Sequence, residues 1–442
     1  MTFKHLTDTC LADHIGDGGL SDAALTRMLM AAAPAHDRLC QLVDSGGLPA
    51  LSVVQSNDDL ASWRALAEDW RARLDDVVVL GTGGSPLGGQ TLYALSDRGF
   101  GPALGGPRLH FMDNVDPDTM TALLGALDLK RTGVIAISKS GGTAETLAQA
   151  AILLPALEAA VGKAALADHA VAVSEPNGAA LSQIATRYGL TRFDHHPGIG
   201  GRFSVFSIVG SLPALMAGLD VAALRRGAAE VLAATLRATK VEDAQPAIGA
   251  AIAVGLLQER QVTQSVLMTY EDRLAYLGLW YRQLWAESLG KDGTGTTPLR
   301  AMGTADHHSQ LQLYLAGPRD KIFTLVMPAS AGHGPTMDGE LAGAVGADVL
   351  AGRHLGDLLD ATARATAETL VRNGRPLRRM EVDRVDEATL GALMMHFMLE
   401  TVIAADLLGV NAFDQPAVEE GKVLAREYLS GIGGAGKSGA KT

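Results

Sequence analysis

The chain has 442 residues, of which 47% are hydrophobic and 19% are charged. That length allows two or three domains with sizeable cores, and the composition indicates a globular protein. The net charge of −12 and the lack of a long basic run disfavour a nucleic-acid or anionic-membrane partner. The N-terminus has no signal-peptide pattern, and apolar stretches such as 247–257 are too short to span a bilayer. We therefore expect a soluble cytoplasmic protein.

The first 70 residues have helical apolar spacing, interrupted by a glycine-proline break at Gly46–Pro49. We find no pattern of reactive side chains there and interpret this part as a packing segment. The two cysteines, Cys10 and Cys40, are too few for a disulfide framework and have no metal-ligand spacing. Both thiols are therefore expected to be inert.

A different pattern begins with Val77–Leu80, which is short and β-branched and predicts a buried strand. A glycine-rich turn at 81–89 follows, and a helix is expected from about Gln90. A dinucleotide-binding turn would need an acidic residue about 20 positions further on, at the end of the next strand. The acidic residues Asp113 and Asp116 lie beyond that position, which disfavours a dinucleotide site. The glycines alternatively let the backbone approach a ligand or a neighbouring helix.

A second strand-to-helix turn is rich in hydroxyl groups. The predicted strand Val134–Ile137 is followed by Ser138, Ser140, Thr143 and Thr146 around two glycines, and then by a helical pattern. The unpaired N–H groups at a helix start, together with hydroxyl donors, suit a phosphate. The alternative is an ordinary N-cap, because Ser and Thr cap helices in many proteins. The stretch alone leaves both interpretations open.

Strands and helices alternate along most of the remaining chain. Further strands are predicted at 170–173, 265–270, 322–327 and 379–383, with helical patterns between and after them. Such alternation predicts an α/β fold, with mainly parallel sheets that have helices on both faces. Both glycine-rich turns would then lie at the carboxyl ends of strands, where open α/β sheets bind ligands.

Two residues further along are candidates for chemistry. Arg202 lies in the glycine-rich stretch 198–204 and is either an ordinary loop arginine or a group that stabilises an anion. Glu287 shares a face of an aromatic-rich helix with Gln283, four residues earlier. A carboxylate in partly dry surroundings suits a general base, whereas the alternative is a solvated glutamate that pairs with Lys291.

The adjacent histidines 307 and 308 precede a helical run. They lack further ligands at a metal-binding spacing, so a titrating histidine is the better chemical interpretation, and a surface capping turn is the alternative. Lys422 fits a solvated position on a helix that is expected to end at Tyr428. The glycine-rich residues after it predict a disordered tail.

Six segments, taken together and in this order, resemble the phosphoglucose isomerase family. The resemblance extends from about residue 76 to residue 428. The segments are 80–88, 137–146, 200–204, 283–291, 308–310 and 413–422.

The resemblance implies two sugar-isomerase (SIS-type) α/β domains, at 71–225 and 226–428. A helical segment at 1–70 precedes them, the second ends in a C-terminal helix, and the tail at 429–442 follows. It also implies a homodimer with a shared active site. The implied reaction is reversible isomerisation of glucose 6-phosphate and fructose 6-phosphate in glycolysis and gluconeogenesis. It would proceed by ring opening and a cis-enediol(ate), without metal or other cofactor.

The resemblance also implies roles for single residues. Glu287 matches the base that moves the proton between C2 and C1, and Arg202 matches the group that stabilises the enediolate. His308, supplied by the partner subunit, and Lys422 match the groups that assist ring opening. The implied substrate-binding residues are Gly84, Ser85, Ser138, Lys139, Ser140, Thr143, Thr146, Gln283 and Gln415.

Three departures from the family pattern bear on these assignments. Gly141 and Gly142 stand where many relatives have Phe-Thr, and Pro416-Ala417 stands beside Gln415 where relatives often have Trp-Gly. His307 precedes His308, although the Ser-Gln that follows favours His308. Two other functions stay open: a non-catalytic sensor of sugar phosphates, and an isomerase that also accepts mannose 6-phosphate.

Overall fold

The structure, a computed structural model, describes residues 2–432 and contains two five-stranded sheets. The strands are β1 (Phe3–Leu6), β2 (Asp76–Leu80), β3 (Arg108–Met112), β4 (Thr132–Ile137), β5 (Ala170–Ser174), β6 (Thr191–Asp194), β7 (Gln264–Thr269), β8 (Thr297–Met302), β9 (Lys321–Pro328) and β10 (Leu377–Val382). The helices of the N-terminal half are α1 (Ala12–Ile15), α2 (Asp22–Asp44), α3 (Pro49–Ser52), α4 (Leu60–Arg73), α5 (Gly84–Tyr93), α6 (Pro117–Ala126), α7 (Ala144–Val161), α8 (Ala180–Tyr188) and α9 (Ile208–Met216). Those of the C-terminal half are α10 (Val221–Arg237), α11 (Gln245–Arg260), α12 (Ala275–Leu289), α13 (Leu311–Ala316), α14 (Gly339–Ala344), α15 (Leu355–Arg372), α16 (Glu387–Leu407) and α17 (Glu419–Ile432).

The first sheet has the order β3-β2-β4-β5-β6, and all of its neighbours pair in parallel. Every residue of β4 and β5 is buried, which is why these strands read as unbroken apolar runs. Leu80 at the end of β2 pairs with Ala136, so the turns after β2 and β4 begin side by side. The predicted α/β class with mainly parallel sheets is confirmed.

The second sheet has the order β1-β10-β9-β7-β8 and is parallel apart from its first strand. That strand, β1, comes from the N-terminus and pairs antiparallel with β10, from Phe3–Val382 to Leu6–Arg379. The prediction of a mainly helical N-terminal segment missed it. A four-residue edge strand has too little pattern of its own, since its partner lies more than 370 residues away.

Two helix boundaries also differ from the predictions. α5 begins at Gly84, six residues before the predicted start at Gln90. Its glycines lower helix propensity, but a Cβ at Gly84 would lie 2.2 Å from the carbonyl carbon of Gly201, so tight packing outweighs propensity. At the other end of the chain, α17 continues past the predicted end at Tyr428 to Ile432. The rest of the predicted tail, residues 433–442, lies outside the described part of the chain.

Two helices, α7 and α16, have the length and apolar composition of a membrane span. The expectation that every apolar stretch is too short is therefore wrong for these two. In α16, 89% of the apolar window is buried inside the protein, between α10, α11 and α12, so it is the central core helix. In α7, 33% of the window is buried.

A charged cluster lies inside the second sheet's core. Arg378 on β10 donates from Nη1 to Oε1 of Glu400 at 2.7 Å, and from Nε to Oγ1 of Thr324 at 2.6 Å. The ring of His396 lies on α16 one turn before Glu400, with Nε2 3.2 Å from Oε2. His396 and Glu400 are fully buried. Burial lowers the pKa of His396, so its imidazole is neutral in the folded protein.

Stability is expected to fall as the pH drops below about 6.5. The unfolded chain regains a histidine pKa of 6.5 and binds a proton that folded His396 refuses. Burial is the main cause of the lowered pKa of His396; Glu400 opposes it, whereas the charge of Arg378 adds to it, and the ring of His5 packs edge-on against the imidazole. The loss is at most about 1.4 kcal/mol per pH unit. Urea unfolding at about pH 7.5 and about pH 5.5 measures it. His396→Phe should reduce the pH dependence, whereas the exposed control His14→Gln should leave it unchanged; an equal pH dependence in His396→Phe contradicts this account.

Candidate active site

Most of the predicted site residues lie around the carboxyl edge of the first sheet. The strand order reverses between β2 and β4, because the chain passes from β2 outward to β3 and then returns to β4. Open α/β sheets place a ligand crevice at such a point. The glycine-rich turn after β2 and the hydroxyl-rich turn after β4 both open there, as the sequence predicted.

The hydroxyl-rich turn has a free helix N-terminus. Thr143 is the N-cap residue of α7, but its side chain makes no capping hydrogen bond and instead lies 2.9 Å from Oγ of Ser138. Thr146 is fully buried, and its Oγ1 has no hydrogen-bond partner among the described residues. No described group accepts from the backbone N–H groups of 144–146. The capping alternative therefore does not describe Thr143, and the donors remain available to an anion.

The glycines of this turn follow from its backbone. Gly141 has φ +66°, and a Cβ there would lie 2.9 Å from the Cβ of Ala179. A larger residue would therefore require a different turn. Ser140 is exposed and accepts a hydrogen bond from the N–H of Gly142, while Lys139 lies 3.8 Å from Glu175. These contacts hold the turn open towards solvent.

Arg202 is the centre of a second group of site residues. It lies in a 3₁₀ turn, Gly201–Phe203, and is 3% exposed. All five of its N–H donors are used. Nε donates to Oγ of Ser288 at 2.8 Å; Nη1 donates to Glu287 Oε2 at 3.2 Å and Gln415 Oε1 at 2.8 Å; Nη2 donates to the carbonyls of Ala412 at 2.6 Å and Asp414 at 2.9 Å.

Glu287 accepts hydrogen bonds at both carboxylate oxygens. Arg202 donates to Oε2, and Nε2 of Gln283 donates to Oε1 at 3.0 Å, one turn earlier on α12. The Glu287 side chain is 35% exposed, so solvent or a ligand can reach it. The alternative pairing with Lys291 is wrong, because that ammonium group contacts Asp414 and backbone carbonyls instead. Burial lowers the pKa of Arg202, and Glu287 opposes the shift, which keeps the guanidinium charged.

The glycine-rich turn after β2 packs against the backbone at Arg202 and against the side chain of Gln283. Gly84 backs onto the peptide between Gly201 and Arg202, and a Cβ at Gly83 would lie 3.2 Å from Nε2 of Gln283. Ser85 is half-buried in the first turn of α5. The sequence left open whether the glycines of this turn let the backbone approach a ligand or a neighbouring helix. The structure shows that the turn lies close to a helix, α12.

The single chain does not bring His308 or Lys422 into this group. His308 lies at the end of a 3₁₀ turn and is exposed, whereas the preceding His307 contacts the hydroxyl of Tyr270 at 2.8 Å and that of Thr366 at 3.1 Å. Burial lowers the pKa of His307. Lys422 pairs with Glu419 at 2.6 Å on α17, whose side chains from 419 to 431 are all exposed.

Sequence reasoning missed three contributors. Ser288 orients Arg202, Lys291 binds the segment that precedes α17, and the carbonyls of Ala412 and Asp414 accept from Arg202. Ser288 and Lys291 lie within a segment that resembles the family, so their positions were visible but their contacts were not. Backbone carbonyls give no signal in a sequence.

A cavity of about 720 Å³ lies elsewhere, at the carboxyl end of the second sheet. Its lining includes Tyr270, Arg273 and Ser330. The helix N-terminus beside it, at α15, is already filled: the N–H groups of Leu355 and Gly356 donate to the carbonyls of Pro335 and His333. The first N–H groups of α7, by contrast, have no acceptor among the described residues, so the start of α7 is the better candidate for an anion site.

Known proteins resemble this chain in sequence and in structure. Residues 59–311 match the model of the phosphoglucose isomerase family. A glucose-6-phosphate isomerase of Rubrobacter xylanophilus is 41% identical over 78% of this chain and 81% of its own. A probable glucose-6-phosphate isomerase of Halobacterium salinarum is 40% identical over 93% of both chains. The solved structure of a hypothetical protein from Thermus thermophilus superposes with a TM-score of 0.86 at 35% identity, covering 97% of this chain and 99% of that one.

These matches cover more than half of the chain for the family model and nearly all of it for the Halobacterium relative. The chain belongs to the phosphoglucose isomerase family and is an aldose–ketose isomerase.

Proposed function

We propose that the protein interconverts glucose 6-phosphate and fructose 6-phosphate. The observation behind the proposal is the pairing of two features at one strand-order reversal. One is an unfilled helix N-terminus lined by Ser138, Thr143 and Thr146, which suits the phosphate. The other is the Arg202–Glu287 pair, which suits proton transfer next to a developing negative charge. Phosphate binding away from the reacting carbons supplies orientation.

Glu287 takes the proton from one of the two reacting carbons and returns it to the other, through a cis-enediolate. Arg202 stabilises the negative charge of that intermediate. Its five N–H donors are occupied in the free protein, so a direct hydrogen bond to a substrate oxygen requires the release of one acceptor. Gln415 is the acceptor that we expect to yield, because its side chain is exposed while the carbonyls belong to a fixed backbone.

Ring opening precedes proton transfer and needs an acid and a base at the ring oxygen and the anomeric hydroxyl. We assign these tasks to His308 and Lys422. Their exposure in the single chain supports a shared active site in a homodimer, with His308 supplied by the partner subunit. Because Tyr270 and Thr366 bind His307, the neighbouring His308 is the ring that points outward.

His308→Asn should slow the reaction of fructose 6-phosphate about 100-fold or more, since general acid–base help is lost. The same variant should act nearly normally on 5-deoxyfructose 6-phosphate. That ketose keeps the phosphate spacing but lacks the hydroxyl that closes the ring. Equal losses on the two substrates would contradict a ring-opening role. His14→Asn serves as the control, because His14 is also exposed and lies far from His308 in the sequence.

Mixing two inactive variants tests the shared site. Refolding equal amounts of Glu287→Gln and His308→Asn together should restore about one quarter of the wild-type sites, because half the dimers are mixed and each has one intact site. The prediction needs a dimer in which one subunit's glutamate works with the other's histidine. No recovery, with mixed dimers present by native mass spectrometry, contradicts the partner assignment.

Thr143→Val should raise KM for fructose 6-phosphate roughly 10- to 100-fold, because one hydrogen bond to the charged phosphate is lost. The change in kcat at saturating substrate should be small. Steady-state kinetics measure both, with the exposed Thr121→Val as a matched control. A variant with a normal KM and a reduced kcat would contradict the phosphate role.

Two alternative functions lead to different expectations for this site. A non-catalytic sensor would need the phosphate turn but not the Arg202–Glu287 pair, which favours the enzyme. An isomerase of wider specificity would also form mannose 6-phosphate from the same enediolate. We further propose a cytoplasmic enzyme of glycolysis and gluconeogenesis, in line with its substrates.

The direct experiment is incubation of the purified protein with fructose 6-phosphate in a chelator-containing buffer, with both aldose phosphates separated by chromatography. Formation of glucose 6-phosphate supports the proposal, and mannose 6-phosphate beside it indicates the wider specificity. No conversion, combined with binding of a phosphorylated sugar acid by calorimetry, would instead indicate the sensor.

A further inference from the structure

Lys291 is the second cation at the site and has no role in the proposed reaction. It lies two residues beyond the last residue of α12, and its side chain is 10% exposed. Its ammonium group donates hydrogen bonds to the carbonyls of Ser288, at 2.9 Å, and Asn411, and forms an ion pair with Asp414, with Nζ 3.2 Å from Oδ1. Its position past the helix end also suits a cation, because the C-terminal carbonyls are partly negative.

Lys291 binds the segment 411–415, which connects α16 to the turn before α17. Within it, the N–H of Phe413 donates to Oδ1 of Asn411 at 2.9 Å, and Nδ2 of Asn411 lies 3.2 Å from Oδ2 of Asp414. Arg202 binds the same segment from the other side, through two carbonyls and the Gln415 side chain. Two cations therefore fix a short segment that has no helix or strand of its own.

The two cations differ in what they must do during the reaction. If Arg202 exchanges the Gln415 side chain for a substrate oxygen, it loses part of its hold on this segment. The contacts of Lys291 involve neither Glu287 nor the Gln415 side chain, so its two hydrogen bonds and its ion pair persist through that exchange. Ser288 links both cations, since its hydroxyl accepts from Arg202 and its carbonyl accepts from Lys291.

We infer that Lys291 is a positioning residue for the C-terminal part of the active site. It holds segment 411–415 against the end of α12, and thereby sets where Gln415 lies and where α17, with Lys422, departs. This inference deepens the proposed function and rests on it for its kinetic consequences. Its structural consequence, a fixed segment, holds whatever the substrate.

The kinetic test uses Lys291→Met, which keeps the length of the side chain and removes its donors. We expect a loss of about 100-fold in kcat, as for a misplaced catalytic group, with an unchanged inhibition constant for inorganic phosphate. Lys291→Arg should recover part of the rate. The exposed Lys163→Met is the matched control. A loss confined to phosphate affinity, or no loss in kcat, overturns the inference.

Double variants separate positioning from a general effect on folding. In a Gln415→Ala, Lys422→Met background, Lys291→Met should cost little more, because the groups that it positions are already gone. In a Thr143→Val background its cost should remain full, since the phosphate turn is held by other contacts. Equal costs in both backgrounds overturn the inference.

Hydrogen exchange of the free protein needs no substrate. It therefore tests the positioning role of Lys291 separately from the proposed isomerase function. Lys291→Met should speed amide exchange in peptides that cover 409–415, while peptides from α16 and β4 exchange as in the wild type. Unchanged exchange at 409–415 overturns the inference. If the wild type fails to isomerise fructose 6-phosphate but this exchange difference appears, the proposed function fails and the holding role of Lys291 stands.

Discussion

Glu287→Gln is expected to lower kcat about 100- to 10,000-fold, the range that general acid–base catalysis contributes. The amide keeps an oxygen that accepts from Arg202 and fills the same space, so the phosphate turn and the fold should be unaffected. Binding of a phosphorylated sugar acid should therefore stay within about twofold of the wild type. Steady-state kinetics and calorimetry measure the two quantities.

Two comparisons make the Glu287 result interpretable. Glu230→Gln, at an exposed position on α10, removes a carboxylate from the protein without touching the site and should be fully active. Glu287→Asp keeps a carboxylate but withdraws it by one methylene, so its rate should lie between those of the wild type and Glu287→Gln. A Glu287→Gln enzyme with wild-type kcat would rule out this residue as the base.

Arg202→Lys is expected to lower both activity and stability. The ammonium group keeps the charge but has three donors in place of five, so Ser288, Glu287, Gln415 and two carbonyls cannot all be satisfied. Loss of a preorganised donor to the developing oxyanion typically costs about 100- to 1,000-fold in kcat. Buried carbonyls left without a partner should lower the free energy of unfolding by roughly 1–3 kcal/mol.

The catalytic and the structural parts of the Arg202 effect are separable. Ser288→Ala removes one acceptor from the guanidinium but leaves its charge and its other four bonds, so it should cost about 1 kcal/mol of stability and much less activity. Arg71→Lys, at an arginine that binds carbonyls outside the site, is the matched control for stability. Wild-type kcat in a folded Arg202→Lys protein would contradict a role in stabilising the enediolate.

Local pattern predicted most strands of the fold because their signals lie within the segment itself. β2, β4 and β5 are buried on both faces, and continuous apolar runs are the direct result. β1 and β6 are edge strands of four residues each, too short to show a clear alternation, and β1 in addition pairs with a strand more than 370 residues away. The early start of α5 was hidden for a related reason: its glycines are there for contact with Gly201, which no window around residue 84 contains.

The residues of the candidate site also differ in how far the sequence alone could predict them. Ser138, Thr143 and Thr146 are close in sequence, so their convergence at one helix start was predictable. Arg202, Glu287 and Gln415 come from three distant stretches, and only the family resemblance suggested that they act together. Their mutual hydrogen bonds are a property of the packed fold. His308 and Lys422 stay apart from them in the single chain, and their assignment remains a proposal.

The central claim is that this protein moves a proton between adjacent carbons of a sugar phosphate. Conversion of fructose 6-phosphate in heavy water tests it most directly, with the product followed by nuclear magnetic resonance. We expect glucose 6-phosphate that has taken up deuterium at C2, and no such product from Glu287→Gln. Glucose 6-phosphate that still lacks deuterium at C2 after many reversible turnovers would point to hydride transfer, because a proton held on a carboxylate then has repeated opportunities to exchange with solvent; no product at all would contradict the isomerase account.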